Sequence, residues 1–287
     1  MVRRSRRHHY VPQAIQRRFC FKKPNLWYSI EKDGIFTKPE VRNIDSTFQE
    51  RDYYTVLEDG CPSDVVERKF YGAIDDYLGK LLKQVDQLFE TGRTPIFKGR
   101  VLADFRRTVF LLLKRTPEFL GEHDDEKIGR EITEATIKSI RESGEVIEDE
   151  QNLFADLGQP TKLKQLGRDV RVRAQVAHSD TIIEAMSDFD VKWAICERGS
   201  FILTSGMMYR IGNGGAHGLI NPQMEIWFPI SPARCLVMVR DKYDRIPMTN
   251  LIPQGKVREI NEYGAKRYSQ IASHSEKLLL SLISSKS

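Results

Sequence analysis

The chain has 287 residues, 40% of them hydrophobic and 30% charged, with a formal net charge of +5. That length supports a substantial core in one large domain or two small ones, and the composition excludes fibrous and disordered classes. No apolar run approaches the roughly 18 residues that span a bilayer, and no apolar stretch follows the basic start as in a secretory signal, so a cytoplasmic protein is expected.

Residues 1–30 carry eight Lys/Arg and no Asp/Glu. Residues 1–7 read as a mobile basic arm ahead of the fold. "LWYSI" and "GIFTKP" read as two strands joined at Asp33-Gly34, the dipeptide of a tight hairpin. "ERDYYTVLEDG" reads as a third strand. Ser63 is the expected N-cap of a helix reaching about Glu90, with apolar residues at steps of three and four. A second helix, about Lys98 to Thr116, is the most apolar and should end before Pro117. Residues 118–156 then carry thirteen Asp/Glu against four Lys/Arg, and 162–173 return five basic residues against one acidic. The stretch 118–158 reads as an acidic helical insertion, with a polar helix over 124–143. Another long helix is expected from Thr161 to about Asp188.

The hydrophobic period then changes from helical to alternating. "VKWAICE", "SFILTS", "QMEIWFPIS" and "RCLVMV" read as four strands of one antiparallel sheet. A C-terminal helix is expected over about 254–284, with a break near Ala272. Strands, helices, strands and a helix in that order predict an α+β fold in a single domain over 1–287. The four cysteines form no Cys-x-x-Cys pair and read as structural thiols in a reducing compartment.

Several landmarks recur in a pattern. "HHYVPQAIQRRF" opens the chain, "NIDSTFQERDYYTV" and "VERKFYGAID" follow, and "LLLKRTPEF" closes the apolar helix. "WAICERGSFILTS", "IWFPIS" and "VREINEYGAKRY" complete the set. Together they resemble the bacterial family named domain of unknown function 4238, over nearly the whole chain. The resemblance makes His9 the family histidine and implies that it belongs to the fold, with His8 an extra neighbour. One departure stands out. Where the family carries Thr-Ser-Asp-x-Pro, this chain has Thr204-Ser205-Gly206-Met207-Met208, without the acidic group. Asp180 is a conceivable substitute.

The candidate chemistry starts at His9, whose ordinary pKa of about 6.5 fits a general acid, a general base or a metal ligand. The basic run around it should depress that value. The same imidazole equally fits a structural tie, with Pro12 fixing the turn. His-His-x-x-Pro also opens His-Asn-His nucleases, but the next histidine is His123, too distant for that motif. Arg115 closes the apolar helix either as a dipole cap or as a phosphate clamp. Glu67 and Asp75, two turns apart, could bind a divalent metal or make surface ion pairs. Gly212, Gly214, Gly215 and Gly218, beside Arg210 and His217, could cradle phosphate but lack the spacing of a nucleotide-binding fingerprint.

The functional expectation is a protein that binds or acts on nucleic acid, nuclease-like, in defence against phage or other mobile DNA. Its site gathers His9, Arg115 and Ser205, with His8 and Thr204 beside them. Arg3, Arg4, Arg6, Arg7, Arg17 and Arg18 would meet phosphates. A divalent metal is a candidate cofactor. The alternatives are a non-enzymatic module whose basic edge binds an acidic protein or its own acidic helix, and a hydrolase of a small phosphorylated molecule.

Overall fold

Two five-stranded sheets, two two-stranded ones, a helical hairpin and amphipathic helices form the α+β fold of the computed structural model, which describes residues 5–119, 124–143, 157–213 and 218–284. The first half holds β1 (Arg7–His9), α1 (Gln13–Gln16), β2 (Asn25–Lys32), β3 (Ile35–Phe36), β4 (Glu40–Asn43), β5 (Gln49–Arg51), β6 (Val56–Glu58) and β7 (Cys61–Ser63). The helices α2 (Gly72–Glu90), α3 (Gly99–Arg115), α4 (Asp125–Ser143), α5 (Pro160–Val176) and α6 (Asp180–Ser187) come next. Then follow β8 (Asp190–Cys196), β9 (Leu203–Thr204), β10 (Tyr209–Ile211), β11 (Glu225–Ser231), β12 (Arg234–Val239) and β13 (Thr249–Ile252). The chain closes with α7 (Gln254–Arg267), β14 (Gln270–Ser273) and α8 (Glu276–Ile283).

Contacts group the chain into two compact units, one from the described residues of 1–8, 50–73 and 120–177 and the other from those of 9–49, 74–119 and 178–287. In the first unit α4 lies along α5 at very short range. A Cβ on Gly129 would come closer than 3.0 Å to the Leu163 backbone carbonyl, and one on Gly167 would do the same at Asp125. Only glycine lets the two backbones meet there. Arg171 of α5 pins the pair. Its Nε donates to Asp125 at 2.7 Å, and its guanidinium stacks 4.4 Å from the centre of the Tyr53 ring. The hairpin β6–β7 turns at Asp59-Gly60, both at positive φ, and docks on α5 where Leu57 N–H donates to Asp169. Beyond Glu118 and Phe119, the described part of the acidic block is therefore essentially one helix, paired with the basic stretch that follows it. Residues 120–123 and 144–156 of that block lie outside the described residues.

In the second unit one sheet has the order β10-β11-β12-β8-β13, antiparallel except for β13 beside β8. The other runs β3-β2-β14-β9, with β4 also on β2. The expected hairpin stands, Glu31 facing Phe36 around Asp33-Gly34. Three of the four expected C-terminal strands share the first sheet, but "SFILTS" supplies β9 to the second. The expected break near Ala272 is a whole strand, β14, and the long helix is α7 and α8 on either side of it. The helix expected over 161–188 also divides, at Ala177–Ser179, into α5 and α6.

β14 carries no alternation to read: Ile271, Ala272 and Ser273 are all buried and Gln270 is half-exposed, and a four-residue buried run beside helical neighbours shows no strand period. One core packs Tyr209, Trp227, Cys235 and Val237 against Val257, Ile260 and Tyr268. Another packs Phe36, Ile202 and Ile271 against Leu279 and Leu282. Of the free cysteines, Cys235 is buried, Cys20 and Cys196 half-buried, and Cys61 exposed. No helix among the described residues is long and apolar enough to cross a membrane.

Candidate functional site

The end of α3 organises the second unit's polar centre. Pro117 forces Thr116 out of helical geometry to ψ 146, and the chain turns through Pro117–Phe119. This corner presents two side chains of opposite charge. Arg115 is fully buried. Its Nη1 and Nη2 both bond to the Asp75 carboxylate of α2, and Nη2 donates to the His9 carbonyl at 2.5 Å. A guanidinium suits this because its planar fork satisfies a carboxylate and a carbonyl at once.

Glu118 accepts a hydrogen bond from Ser205 Oγ in the turn after β9. Burial raises the Glu118 pKa above the ordinary carboxylate range, while bonds from Ser205, its own backbone amide and Ser269 act against the shift. The turn that presents Ser205 is tight. Met207 N–H donates to the Thr204 carbonyl at 2.9 Å, and Met208 N–H donates to the Gly206 carbonyl at 2.5 Å. Met207 itself sits at φ 60 although fully buried, a left-handed conformation costing about 1–3 kcal/mol in a non-glycine residue. Strain of that kind persists only where neighbours fix it, and here Tyr268 does so by donating to the Met208 carbonyl at 2.6 Å.

A small cavity of about 20 Å³ opens beside Glu118, lined also by Phe119, Gly206, Arg210, Arg267 and Tyr268. That is room for about one water. Arg267 is exposed, and Arg210 stacks 5.5 Å from the centre of the Phe119 ring. Nearby, Tyr10 and Tyr28 both donate to Gln270 Oε1, at 2.6 and 2.5 Å. Burial and the Glu118 charge both hold the Tyr28 phenol far above its ordinary pKa.

His9 and Arg115 thus meet, but through the His9 backbone. The His9 imidazole points elsewhere, its Nε2 at 3.2 Å from the Ile44 carbonyl. Its pKa is lowered, first by burial, with Arg115 adding to the shift while the Ile44 carbonyl and the acids Asp45 and Asp75 oppose it. The direction is the one read from the basic run, but the leading cause is desolvation. His9 and Ser205 share no hydrogen bond among the described residues. Thr204 is buried in β9, opposite Ile271 of β14.

His8 is held inside the first unit. Its Nδ1 accepts the Tyr54 N–H at 2.8 Å, so Nε2 carries the proton and faces the Ser5 carbonyl at 3.1 Å. Ser5 N–H in turn donates to Asp64, and Arg6 pairs with Asp52 at 2.9 Å. Arg7 and Arg17 are exposed, Arg17 donating to Gln13. Arg18 is spent internally, bidentate to Asp86 and donating to the Ile230 carbonyl. Arg3 and Arg4 lie outside the described residues, as do His123, Gly214, Gly215 and His217. Glu67 sits in a π-helical turn, Val66–Tyr71, of the first unit, whereas Asp75 binds Arg115 in the second. Asp180 pairs with His178 on the surface. No group of three or more His, Cys, Asp or Glu side chains able to hold a metal ion occurs among the described residues.

Sequence reasoning passed over Glu118, Arg267 and Tyr268 as site residues, and set Arg210 beside a glycine cradle rather than beside Glu118. Glu118 had a signal, since it directly follows Arg-Thr-Pro, but it was absorbed into the acidic block as its first member. Neither the curated proteins nor the solved structures contain a match to this chain. The family model described as protein of unknown function (DUF4238) matches residues 7–279, from the strand that carries His9 to the closing helix, and the chain belongs to that family.

Proposed function

We propose that the chain acts on nucleic acid, nuclease-like, with a phosphodiester held and cleaved at the Glu118 cleft. The observation that supports this is a buried carboxyl beside a water-sized cavity with Arg210 and Arg267 around it. Two guanidinium groups suit the oxygens of a phosphodiester. Burial makes the Glu118 carboxylate a stronger base, fit to take a proton from a water in the cavity. As that proton leaves, the water oxygen bonds to phosphorus. The ester P–O bond breaks and the departing alkoxide takes a proton from solvent. Ser205 is a positioning residue, since it is buried and fixes Glu118 Oε1.

The test is cleavage of labelled single- and double-stranded DNA and RNA, with and without Mg²⁺, Mn²⁺ or Zn²⁺. Glu118→Gln should lower the rate by about 10²–10⁴-fold with the fold intact. Cleavage that survives Glu118→Gln, or no binding of any nucleic acid at low salt, would overturn the proposal.

A second reading is a non-enzymatic module whose basic groups answer acidic partners within its own chain. The Arg18–Asp86, Arg6–Asp52 and Arg171–Asp125 pairs favour it. Salt separates the two readings, because phosphate contacts make affinity fall steeply between 50 and 200 mM, by about three orders of magnitude when six phosphates are met.

A further inference from the structure

The first unit contains a larger cleft, of about 270 Å³, whose walls include Thr55, Thr161, Lys164, Gln165, Arg168 and Asp52. It lies at the start of α5, where Pro160 follows an extended Gln159 and no side chain caps the helix. Pro160 has no N–H and Lys162 N–H already donates to the Gln159 carbonyl at 2.9 Å, so what this helix start offers an anion is its dipole. A second feature points the same way. Thr55 is only 7% exposed, and its Oγ1 has no hydrogen-bond partner among the described residues. Buried hydroxyls are nearly always satisfied, so an orphan one on a cleft wall marks a place that a ligand completes.

The charges agree. Lys164 is exposed and makes no ion pair among the described residues, and Arg168 is only loosely engaged, 3.6 Å from Asp125. Asp52, the carboxylate on the wall, is already held by Arg6 at 2.9 Å and Arg51 at 3.6 Å. Among its lining residues the cleft thus presents cations and hydroxyls with Asp52 already paired, and the Glu50 carboxyl stands within electrostatic reach of Lys164 and Arg168.

We propose that this cleft is a phosphate-binding site, with Lys164 and Arg168 as charge partners and the Thr55 and Thr161 hydroxyls as donors. A tetrahedral oxyanion uses all of these at once, whether it is free phosphate, the phosphate of a nucleotide or one in a nucleic acid backbone. The site is separate from the Glu118 cleft and does not depend on the reading given to it.

Calorimetric titration of the full chain at low salt tests this, using inorganic phosphate, adenosine monophosphate and a short single-stranded oligonucleotide. Saturable binding of at least one is expected. Lys164→Ala and Thr55→Val should each weaken it about tenfold, the scale of one lost charge-assisted hydrogen bond. Lys164 is a surface side chain, so its variant keeps the test meaningful if Thr55→Val misfolds. Cleavage assayed in parallel distinguishes failure here from failure of the nuclease reading: saturable phosphate binding without cleavage upholds this site alone, and cleavage without saturable phosphate binding upholds the other alone. Tightest binding of the oligonucleotide would assign the site to nucleic acid, and tightest binding of the nucleotide or phosphate to a small ligand. Absence of saturable binding for all three, or affinities unmoved by Lys164→Ala, would overturn the proposal.

Discussion

The ring of Tyr268 fills the space that any side chain at Gly206 would enter, its Cε1 lying closer than 3.0 Å to where a Cβ would stand. The missing acidic group of "LTSGMM" is therefore tied to a second position, far away in sequence. A carboxylate cannot return at 206 while Tyr268 keeps its place against Met208.

Gly206→Ala should destabilise by about 1–3 kcal/mol through overpacking, and Gly206→Asp by more, because it also buries a charge. Combining Gly206→Asp with Tyr268→Ala should recover a large part of the loss. Thermal melting of the single and double variants measures this. A double variant no better than Gly206→Asp alone would show that the ring is not what excludes the side chain.

The Arg115–Asp75 pair should respond asymmetrically. Arg115 is fully buried while the Asp75 side chain is 32% exposed. Asp75→Ala strands a buried cation and should cost about 3–5 kcal/mol. Arg115→Met removes the charge, fills similar volume and leaves an aspartate that water can reach, so its cost should be smaller. Urea denaturation gives both values, and the reverse order would mean that the His9 carbonyl, not Asp75, dominates the arginine's environment.

Opposite shifts at His9 and Glu118 predict opposite limbs of a stability profile. The lowered His9 pKa adds stability that is full above about pH 6.5 and lost as pH falls below it. The raised Glu118 pKa adds stability that is full below about pH 4.3 and lost as pH climbs through its raised value. His9→Gln should flatten the acid limb, and Glu118→Gln should stabilise the chain at neutral pH relative to acid. Melting temperatures across pH 4–8 decide it; unchanged slopes in both variants would contradict the assigned environments.

Gly129 and Gly167 should tolerate no side chain. Gly167→Ala places a methyl against the Asp125 carbonyl and must separate α4 from α5, which also strains the Arg171–Asp125 bond. Limited proteolysis should cut the variant in α4 or α5 much faster than the parent. An equal rate would show that the helices shift apart at no cost.

Much of the fold was legible because its signals are local. Asp33-Gly34 announced a hairpin, Pro117 announced the end of α3, and the apolar stripe of Phe105, Val109 and Leu112 announced a buried face. The site was less legible because its parts are distant. Ser205 and Arg115 were both singled out, yet nothing local shows that Glu118 turns inward to Ser205 while Arg115 turns to Asp75. Composition also misled, since Glu118 looks like one more acid in an acidic block until the corner after Pro117 is seen. "SFILTS" shows the same limit at the level of strands. Its alternation identifies a strand but not which sheet it joins.

The position of β14 sets an order on folding. It lies between β2 and β9, with Gln270 facing Ile30 and Ser273 facing Trp27, so strands from opposite ends of the chain are direct neighbours. During synthesis β2 must wait, paired with β3 and β4 on one edge and open on the other, until almost the whole chain has left the ribosome. Such non-local pairing slows folding. A chain cut short after α7 would lack the strand that joins the two halves of its sheet, and fragments ending there should be recovered as aggregates rather than as a smaller folded protein.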